Sequence, residues 1–313
     1  MDNKNKGRSK KSLSERMVRN DDIFCSLLFD SGSRTLRVVD FRGGNFQNKH
    51  SYLERVLMSE GMRKIFTLIE RDDMTGWQRV GYQKEGTIPG YYKRSDAYIM
   101  SRVYDQDYDP DERRTEENPE LLVEVKGLAK DLSDIKASGT KAEEGSVEEV
   151  IAAIRAEVDR LSDKAKALSA KKSAKGVNPL RGLGDDLDDM PPIFNQFSRE
   201  VEDHYFILSN KRSKQINVVG AEYQDCFGNA KIDYYFPTPT KVEQSLVKEG
   251  LGEVMTKLTD SGVVSLFSLV RVDDPVRSAI YLASGFRNTG LLARQLLTPE
   301  GAVDQLLWTR KLI

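Results

Sequence analysis

Five carboxylates in the run DQDYDPDERRTEE (Asp105, Asp107, Asp109, Asp111 and Glu116) fall at positions one, three, five, seven and twelve of a calcium-binding loop. Side chains at that spacing can converge on one hard cation, but such a loop needs glycine at its sixth position for a sharp turn. Pro110 stands there, so a solvated acidic linker is the preferred reading. His50 and His204 are the only histidines, and neither has a cysteine or a second histidine at ligand spacing. That gives no support to a zinc site or a Ser-His-Asp triad, and both histidines read as surface residues. Cys25 and Cys226 have no metal spacing and suit a reducing compartment better than a disulfide framework, which points to a cytoplasmic protein.

The bulk composition is globular but polar, with 39% hydrophobic and 31% charged residues. A chain of 313 residues is long enough for two domains. Forty-eight basic residues balance forty-nine acidic ones, so nothing global points to nucleic acid or an anionic membrane surface. The basic start, MDNKNKGRSKKSLSER, has no apolar core behind it before Ile23 and reads as a disordered tail over residues 1–21 rather than a signal sequence or a nucleic-acid arm. No run approaches the roughly 18 to 20 apolar residues that span a bilayer.

The elements that must position any chemistry repeat. After Ile23 the pattern predicts a hairpin (IFCSLLFD, RTLRVVDFRG), a helix (KHSYLERVLMSEGM), the strand KIFTLIE, the break RDD, a short helix, GYQKEG, and the strand AYIMSRVY. Residues 206–313 follow the same order: strands YFILS, INVVGAEY and AKIDYYF, a helix from about Lys241 to Leu258, the strand VVSLFSLVRV, the break DD, the helix PVRSAIYLAS, GFRNTG, and strands LLARQLL and QLLWTRKL. The matched order around two Gly-aromatic-three-Gly segments argues for an internally duplicated unit over convergence of two helix-end glycines. Between the halves, Ser146 and Glu149 form a capping box. Val147, Ile151, Ile154, Val158, Leu161, Ala165 and Leu168 then alternate four and three apart. That stripe could pair with LLVEVKGLAKDL, dock on a domain, or join two copies; docking within the chain is preferred. GVNPLRGLGDDLDDMPP behind it reads as a linker.

An apolar strand followed by SAIYLASGFRNTG resembles the later portion of the Gcn5-related N-acetyltransferase (GNAT) fold. With LRVVDFRGGN, GMRKIFTLIE and GYQKEGTIPGYYKRSDAYIMSRVYD in the first half, the chain resembles most the β-lysine N-acetyltransferases, which place a smaller related domain before the catalytic one. The resemblance implies an α/β fold of two GNAT-like mixed-sheet units joined by a charged helical linker. Its parts are a half domain at 22–105, a linker at 106–204 with a heptad helix at 146–172, and an acetyltransferase-like domain at 205–313. It implies acetyl transfer from acetyl-CoA, as co-substrate, to a small amine such as β-lysine. Tyr281, four residues before Gly285, occupies the place of the family's general acid, which protonates the departing thiolate. Candidates for deprotonating the amine are Glu222 on INVVGAEY and Asp233 on AKIDYYF, although a solvent-facing residue of an alternating strand is the preferred reading of each.

The departure from the family lies at the coenzyme loop. Its pattern Gln/Arg-x-x-Gly-x-Gly/Ala aims bare backbone amides at the pyrophosphate. FPTPTKVEQSL stands there instead, with Glu243 and Ser245 at the glycine positions, so Thr240, Lys241 and Ser245 are the residues a coenzyme would meet. Thr240 and Glu243 also predict a capping box. Gly250 and Gly252 come too late to leave a full helix behind them. A second expectation follows: a catalytically degenerate fold serving as a binding or assembly module, with the heptad helix as a surface for a partner or a second copy.

Overall fold

The computed structural model describes residues 13–109, 119–135, 139–169, 201–210 and 215–312. The chain is mixed α/β, with thirteen strands and six α-helices among the described residues. Its contacts divide it into two compact units. Unit 1 takes residues Met1–Thr87, Ala97–Glu117 and Gly290–Gln305; unit 2 takes Ile88–Asp96, Asn118–Thr289 and Leu306–Ile313. None of the described helices is long and apolar enough to cross a membrane.

In unit 1, β1 (Leu13–Arg19), β2 (Phe24–Asp30), β3 (Thr35–Asp40), β4 (Lys64–Ile69), β5 (Gln83–Ile88) and β6 (Ala97–Val103) lie in the order β1-β2-β3-β4-β6-β5. Only β3 and β4 pair in parallel among the registers of this unit; β1–β2, β2–β3 and β4–β6 are antiparallel. The predicted hairpin is present. Strand β1 arises inside the stretch read as a tail, because its partly buried Leu13 and Val18 find a neighbour in β2 that local composition does not reveal. Helix α1 (Phe46–Glu60) buries Leu53, Val56 and Leu57, and it stops at Gly61, whose left-handed φ of 64° lets its N–H return to the Leu57 and Met58 carbonyls. After β4 a 3-10 turn (Arg71–Asp73) leads into α2 (Met74–Arg79). Leu27, Leu36, Leu53, Ile65, Trp77 and Met100 are central in its core.

In unit 2, β7 (Thr140–Glu144), β8 (Glu202–Asn210), β9 (Gln215–Gln224), β10 (Asn229–Tyr234), β11 (Ser265–Arg271) and the Leu306–Lys311 part of β13 (Gly301–Lys311) lie in the order β13-β11-β10-β9-β8-β7. Helix α3 (Pro119–Ser133) buries Val125, Ala129 and Leu132 and packs chiefly on α6 (Pro275–Ala283), with a smaller contact to α5 (Lys241–Asp260). Helix α4 (Val147–Ser169) is the heptad helix, and its capping box forms: Glu149 N–H donates to Ser146 Oγ at 3.3 Å and Ser146 N–H to Glu149 Oε2 at 2.8 Å. It docks within the unit, where Val150 and Ile154 bury against Val218 and Phe236, with Val158 and Leu161 alongside. The buried face follows a 3.6-residue period, so Val147, the first residue of the predicted stripe, is 45% exposed and Val150 replaces it.

The recurring Gly-aromatic-three-Gly segments do the same work at their first glycine. Gly81 (φ 88°) and Gly285 (φ 85°) close α2 and α6 in a conformation that L side chains avoid. The next aromatic turns back: Tyr82 N–H donates to the Trp77 carbonyl at 3.1 Å, and Phe286 N–H to that of Tyr281 at 3.0 Å. Each ring then packs edge-on against the aromatic four residues before the glycine, with centroids 4.7 Å (Trp77) and 5.2 Å (Tyr281) away. At the second glycine the reason differs. Within unit 1, Gly290 of β12 (Arg287–Thr298) pairs with Gly86, and a Cβ on Gly290 would come within 2.4 Å of the Glu85 carbonyl oxygen.

Candidate active site

The site in unit 2 begins where two parallel strands part. β10 and β11 pair at Asn229–Ser265, Ala230–Leu266 and Lys231–Phe267, and both strands then run on, to Tyr234 and Arg271, without further rungs in that register. On its other side β10 stays paired to β9 as far as Tyr234. The edge of β10 from Ile232 onward therefore turns backbone polar groups into a gap, and such groups require partners.

Tyr281 of α6 reaches that gap. Its hydroxyl lies 3.3 Å from the Ile232 carbonyl oxygen and 3.2 Å from Asp233 Oδ1, and the residue is fully buried. Burial, and next the Asp233 carboxylate, push its pKa well above the ordinary tyrosine value, so the hydroxyl keeps its proton at neutral pH. Arg277, one turn earlier on α6, donates to the same Asp233 oxygen at 2.7 Å and stacks 4.2 Å over the Tyr234 ring. Burial works against its charge, but Asp233 together with Tyr234, Tyr281 and Asp274 outweighs it and holds the guanidinium above its ordinary value. The Tyr234 N–H adds a third donor to Asp233 Oδ1 at 2.8 Å. Helix α6 itself is fixed by Asp274, whose carboxylate caps it at the Arg277 N–H, and by Pro275 in its first turn.

Of the sequence-derived candidates, Tyr281 and Asp233 meet. Glu222 faces the same side of the sheet, on β9 opposite Lys231, with its Oε2 3.9 Å from the Lys231 Nζ. Gly220, not Glu222, stands opposite Asp233, so the two carboxylates are diagonal neighbours two residues apart in register. Arg277 was not anticipated, although its i, i−4 spacing from Tyr281 on a predicted helix was a legible signal.

At the start of α5 the side chains are already engaged. The Thr240 N–H and hydroxyl donate to Glu243 Oε2 at 2.9 and 2.7 Å, while the Glu243 N–H donates back to Thr240 Oγ1, forming the predicted capping box. Lys241 Nζ lies 3.4 Å from Asp131 of α3. Ser245 is 1% exposed, its Oγ without a hydrogen-bond partner among the described residues. Two carboxylates, Glu243 and Asp131, thus stand at the start of α5.

Asp105 and Asp107 are paired internally in unit 1, to Arg63 (3.1 Å) and Arg294 (3.3 and 2.6 Å). No group of three or more metal-type ligands occurs among the described residues, which do not include Asp111 and Glu116. His50 corrects the surface reading: it is 7% exposed, with Nε2 2.9 Å from Arg102 Nη1, because its ring fills a helix-to-strand contact. His204 is partly exposed and pairs through Nδ1 with Glu144 at 2.8 Å.

No protein-family model matches the chain, and no curated protein matches it. Solved structures do. The spermidine N-acetyltransferase of Vibrio cholerae, in complex with CoA and spermine, is 12% identical over 56% of this chain and 96% of that one, with a TM-score of 0.40. The microcin C7 self-immunity acetyltransferase MccE, in complex with acetyl-CoA and AMP, is 20% identical over 35% of this chain, with a TM-score of 0.32; the match spans 61% of MccE, less than two thirds of its length. RimL, a ribosomal L7/L12 α-N-protein acetyltransferase, is 14% identical over 35% of this chain and 69% of its own, with a TM-score of 0.30.

Proposed function

We propose that unit 2 is an N-acetyltransferase unit of the Gcn5-related kind that acetylates a small amine such as β-lysine, with acetyl-CoA supplying the acetyl group. The observation that carries this reading is the parting of β10 and β11 after Lys231 and Phe267 with the Tyr281 hydroxyl at the split. An extended, amide-bearing ligand can pair with the open edge of β10 from Ile232 onward. Tyr281 holds a proton at Oη that it can give to a leaving group, and Asp233, fixed by Arg277, holds the hydroxyl in place. Asp233 Oδ1 already accepts three donors, so Glu222 is the carboxylate assigned to receive the amine proton. The recurrence of helix end, glycine, turned-back aromatic and parallel strand pair in both units supports reading them as copies of one ancestral unit, with residues 106–204 as the insertion between the halves.

A second reading, a lapsed enzyme kept as a binding module, is favoured by the Thr240–Glu243 box and the Lys241–Asp131 pair, which do not fit a pyrophosphate. Calorimetric titration of the full chain with acetyl-CoA and desulfo-CoA separates the two. Binding by the natural chain is expected, and Tyr281→Phe is expected to keep that binding while turnover falls by about 100-fold or more. Binding that appears only in a Glu243→Gly, Ser245→Gly double variant would establish the second reading.

A further inference from the structure

An arginine near the end of β6 in unit 1 and another near the end of β13 in unit 2 occupy the same local frame and have different sets of partners. In unit 1, Arg102 Nη1 donates to the Val80 carbonyl at 3.2 Å, beside Gly81. In unit 2, Arg310 Nη1 donates to the Ser284 carbonyl, beside Gly285. The helices behind them end in the same register: Met62 N–H returns to the Leu57 carbonyl (3.0 Å), and Val263 N–H to that of Leu258 (2.9 Å). Counting back one turn and two turns from those matched ends, Glu54 and His50 of unit 1 correspond to Met255 and Leu251 of unit 2.

The substitution changes what the arginine meets. Arg102 has His50 Nε2 at 2.9 Å and Glu54 Oε1 at 3.5 Å. Arg310 has no carboxylate within ion-pair distance among the described residues and one hydrogen bond, to Ser284. It lines instead a cavity of about 460 Å³ that includes Lys248, Met255, Thr256, Thr259 and Ser284, and no residue of the Tyr281 cluster takes part. Among the described residues, no carboxylate side chain lines it. Ser284 is 7% exposed, and its Oγ has no partner among the described residues. Thr256 and Thr259 give their hydroxyl protons to the Gly252 and Met255 carbonyls, which leaves their oxygens as acceptors. Lys248 adds positive charge at the rim, shared with Glu249 and with the carbonyls of Leu132 and Ile135.

We propose that this cavity is a second ligand site, for a small polyhydroxy compound bearing a carboxylate or phosphate, whose oxyanion takes at Arg310 the place that the Glu54 carboxylate takes at Arg102. A planar guanidinium suits either oxyanion, the Ser284 hydroxyl can add a donor, and the threonine oxygens accept from ligand hydroxyls. The site is independent of the acetyl-transfer reading.

The test is thermal unfolding and calorimetry of the full chain with gluconate, glucose 6-phosphate and inorganic phosphate at fixed ionic strength, with glucose as the uncharged control. Saturable stabilisation by gluconate or glucose 6-phosphate, absent with glucose, is expected, and the two probes tell carboxylate from phosphate. Because Arg310→Gln also removes the bond to Ser284 and can fail to fold, the decisive variant is Met255→Glu, which installs the carboxylate of unit 1 and keeps the arginine. It should remain folded and lose at least about tenfold in affinity, a difference of about 1.4 kcal/mol. Equal binding by Met255→Glu, or no saturable binding of any probe to the natural chain at millimolar concentration, would overturn the proposal.

Discussion

Units 1 and 2 share several local features, among them a left-handed glycine at a helix end, a turned-back aromatic and a parallel strand pair, and surround them with different side chains. At Arg102, unit 1 supplies His50 and Glu54, and at Arg310, unit 2 supplies a cavity. At the aromatic before the glycine, unit 1 buries Trp77 in its core, with Phe46 at 5.7 Å, and unit 2 buries Tyr281, with a hydroxyl aimed at a strand edge. The first residues of β4 and β11 differ too: unit 1 has Lys64, whose ammonium reaches Glu85 at 2.7 Å and the Ala293 carbonyl at 2.7 Å. Unit 2 has Ser265, with one hydrogen bond to the Pro89 carbonyl at 2.6 Å. At these positions unit 1 pairs Arg102 with Glu54 and Lys64 with Glu85, whereas unit 2 sets Arg310 on a cavity and the Tyr281 hydroxyl at a strand edge, so the same local frame closes on itself in one unit and stays open in the other.

The largest expected break in that comparison is Lys64→Ala. Lys64 and Glu85 are 0% and 4% exposed, so removing the ammonium strands a buried carboxylate, at a cost of about 3–5 kcal/mol. Ser265→Ala removes a single neutral hydrogen bond, worth about 1 kcal/mol. Urea unfolding followed by tryptophan fluorescence can assign each loss, since Trp77 and Trp308 report on units 1 and 2 respectively and each can be kept alone by changing the other to Phe. Equal losses at the two sites would break the contrast.

Alkaline pH gives the next effect. Burial, with help from Asp40, pushes the Cys25 thiol up to about 11 from 9.0. The raised folded value means that its contribution is complete below the unfolded thiol's pKa and is lost as pH climbs toward 11, roughly 2–3 kcal/mol in all. Cys25→Ala should flatten the stability curve of unit 1 between pH 9 and 11. A thiol reagent should label exposed Cys226 in the native protein and reach Cys25 only on unfolding.

Gly81→Ala and Gly285→Ala sharpen the shared part of the plan. Each forces a methyl-bearing residue into left-handed backbone and toward an arginine, with Arg102 Nη1 at 3.1 Å and Arg310 Nη1 at 2.8 Å from the new Cβ. Similar losses, about 1–2 kcal/mol each by chemical denaturation, are expected. The smallest effect is acidic: burial lowers the His50 pKa below 6.5, with Arg102 adding to this and Glu54 opposing it. Stability is then present above the unfolded histidine value and falls as pH drops below it. His50→Leu, the residue type at the matching place in unit 2, should flatten that acid dependence of the unfolding curve.

Much of this was legible in the sequence because it is local. The apolar spacing of Leu53, Val56 and Leu57, the Thr240–Glu243 and Ser146–Glu149 boxes, and the first glycine of each repeated segment all act within a turn or two of chain. Tyr281 and Asp233 were found as separate candidates. Their meeting was not legible, since a helix and a strand forty-eight positions apart are joined by packing alone. Strand β1 and the buried His50 were misread for the same reason: burial depends on neighbours contributed from elsewhere in the chain. In α4, Ile154, Val158 and Leu161 face the core as the stripe placed them, but Val150 stands in for Val147 at its start, because a 3.5-residue template was laid on a helix that packs on a sheet face, not on another helix of a supercoil.

The sequence by itself determined most of the strands and helices and the helix ends, because capping, left-handed glycines and apolar periodicity are properties of short segments. Only the tertiary structure decided which polar groups satisfy one another. Hydrogen bonds and ion pairs reach about 3 Å, and that separation is set by how strands and helices pack, so the Asp233–Arg277–Tyr281 cluster and the cavity at Arg310 exist only after folding.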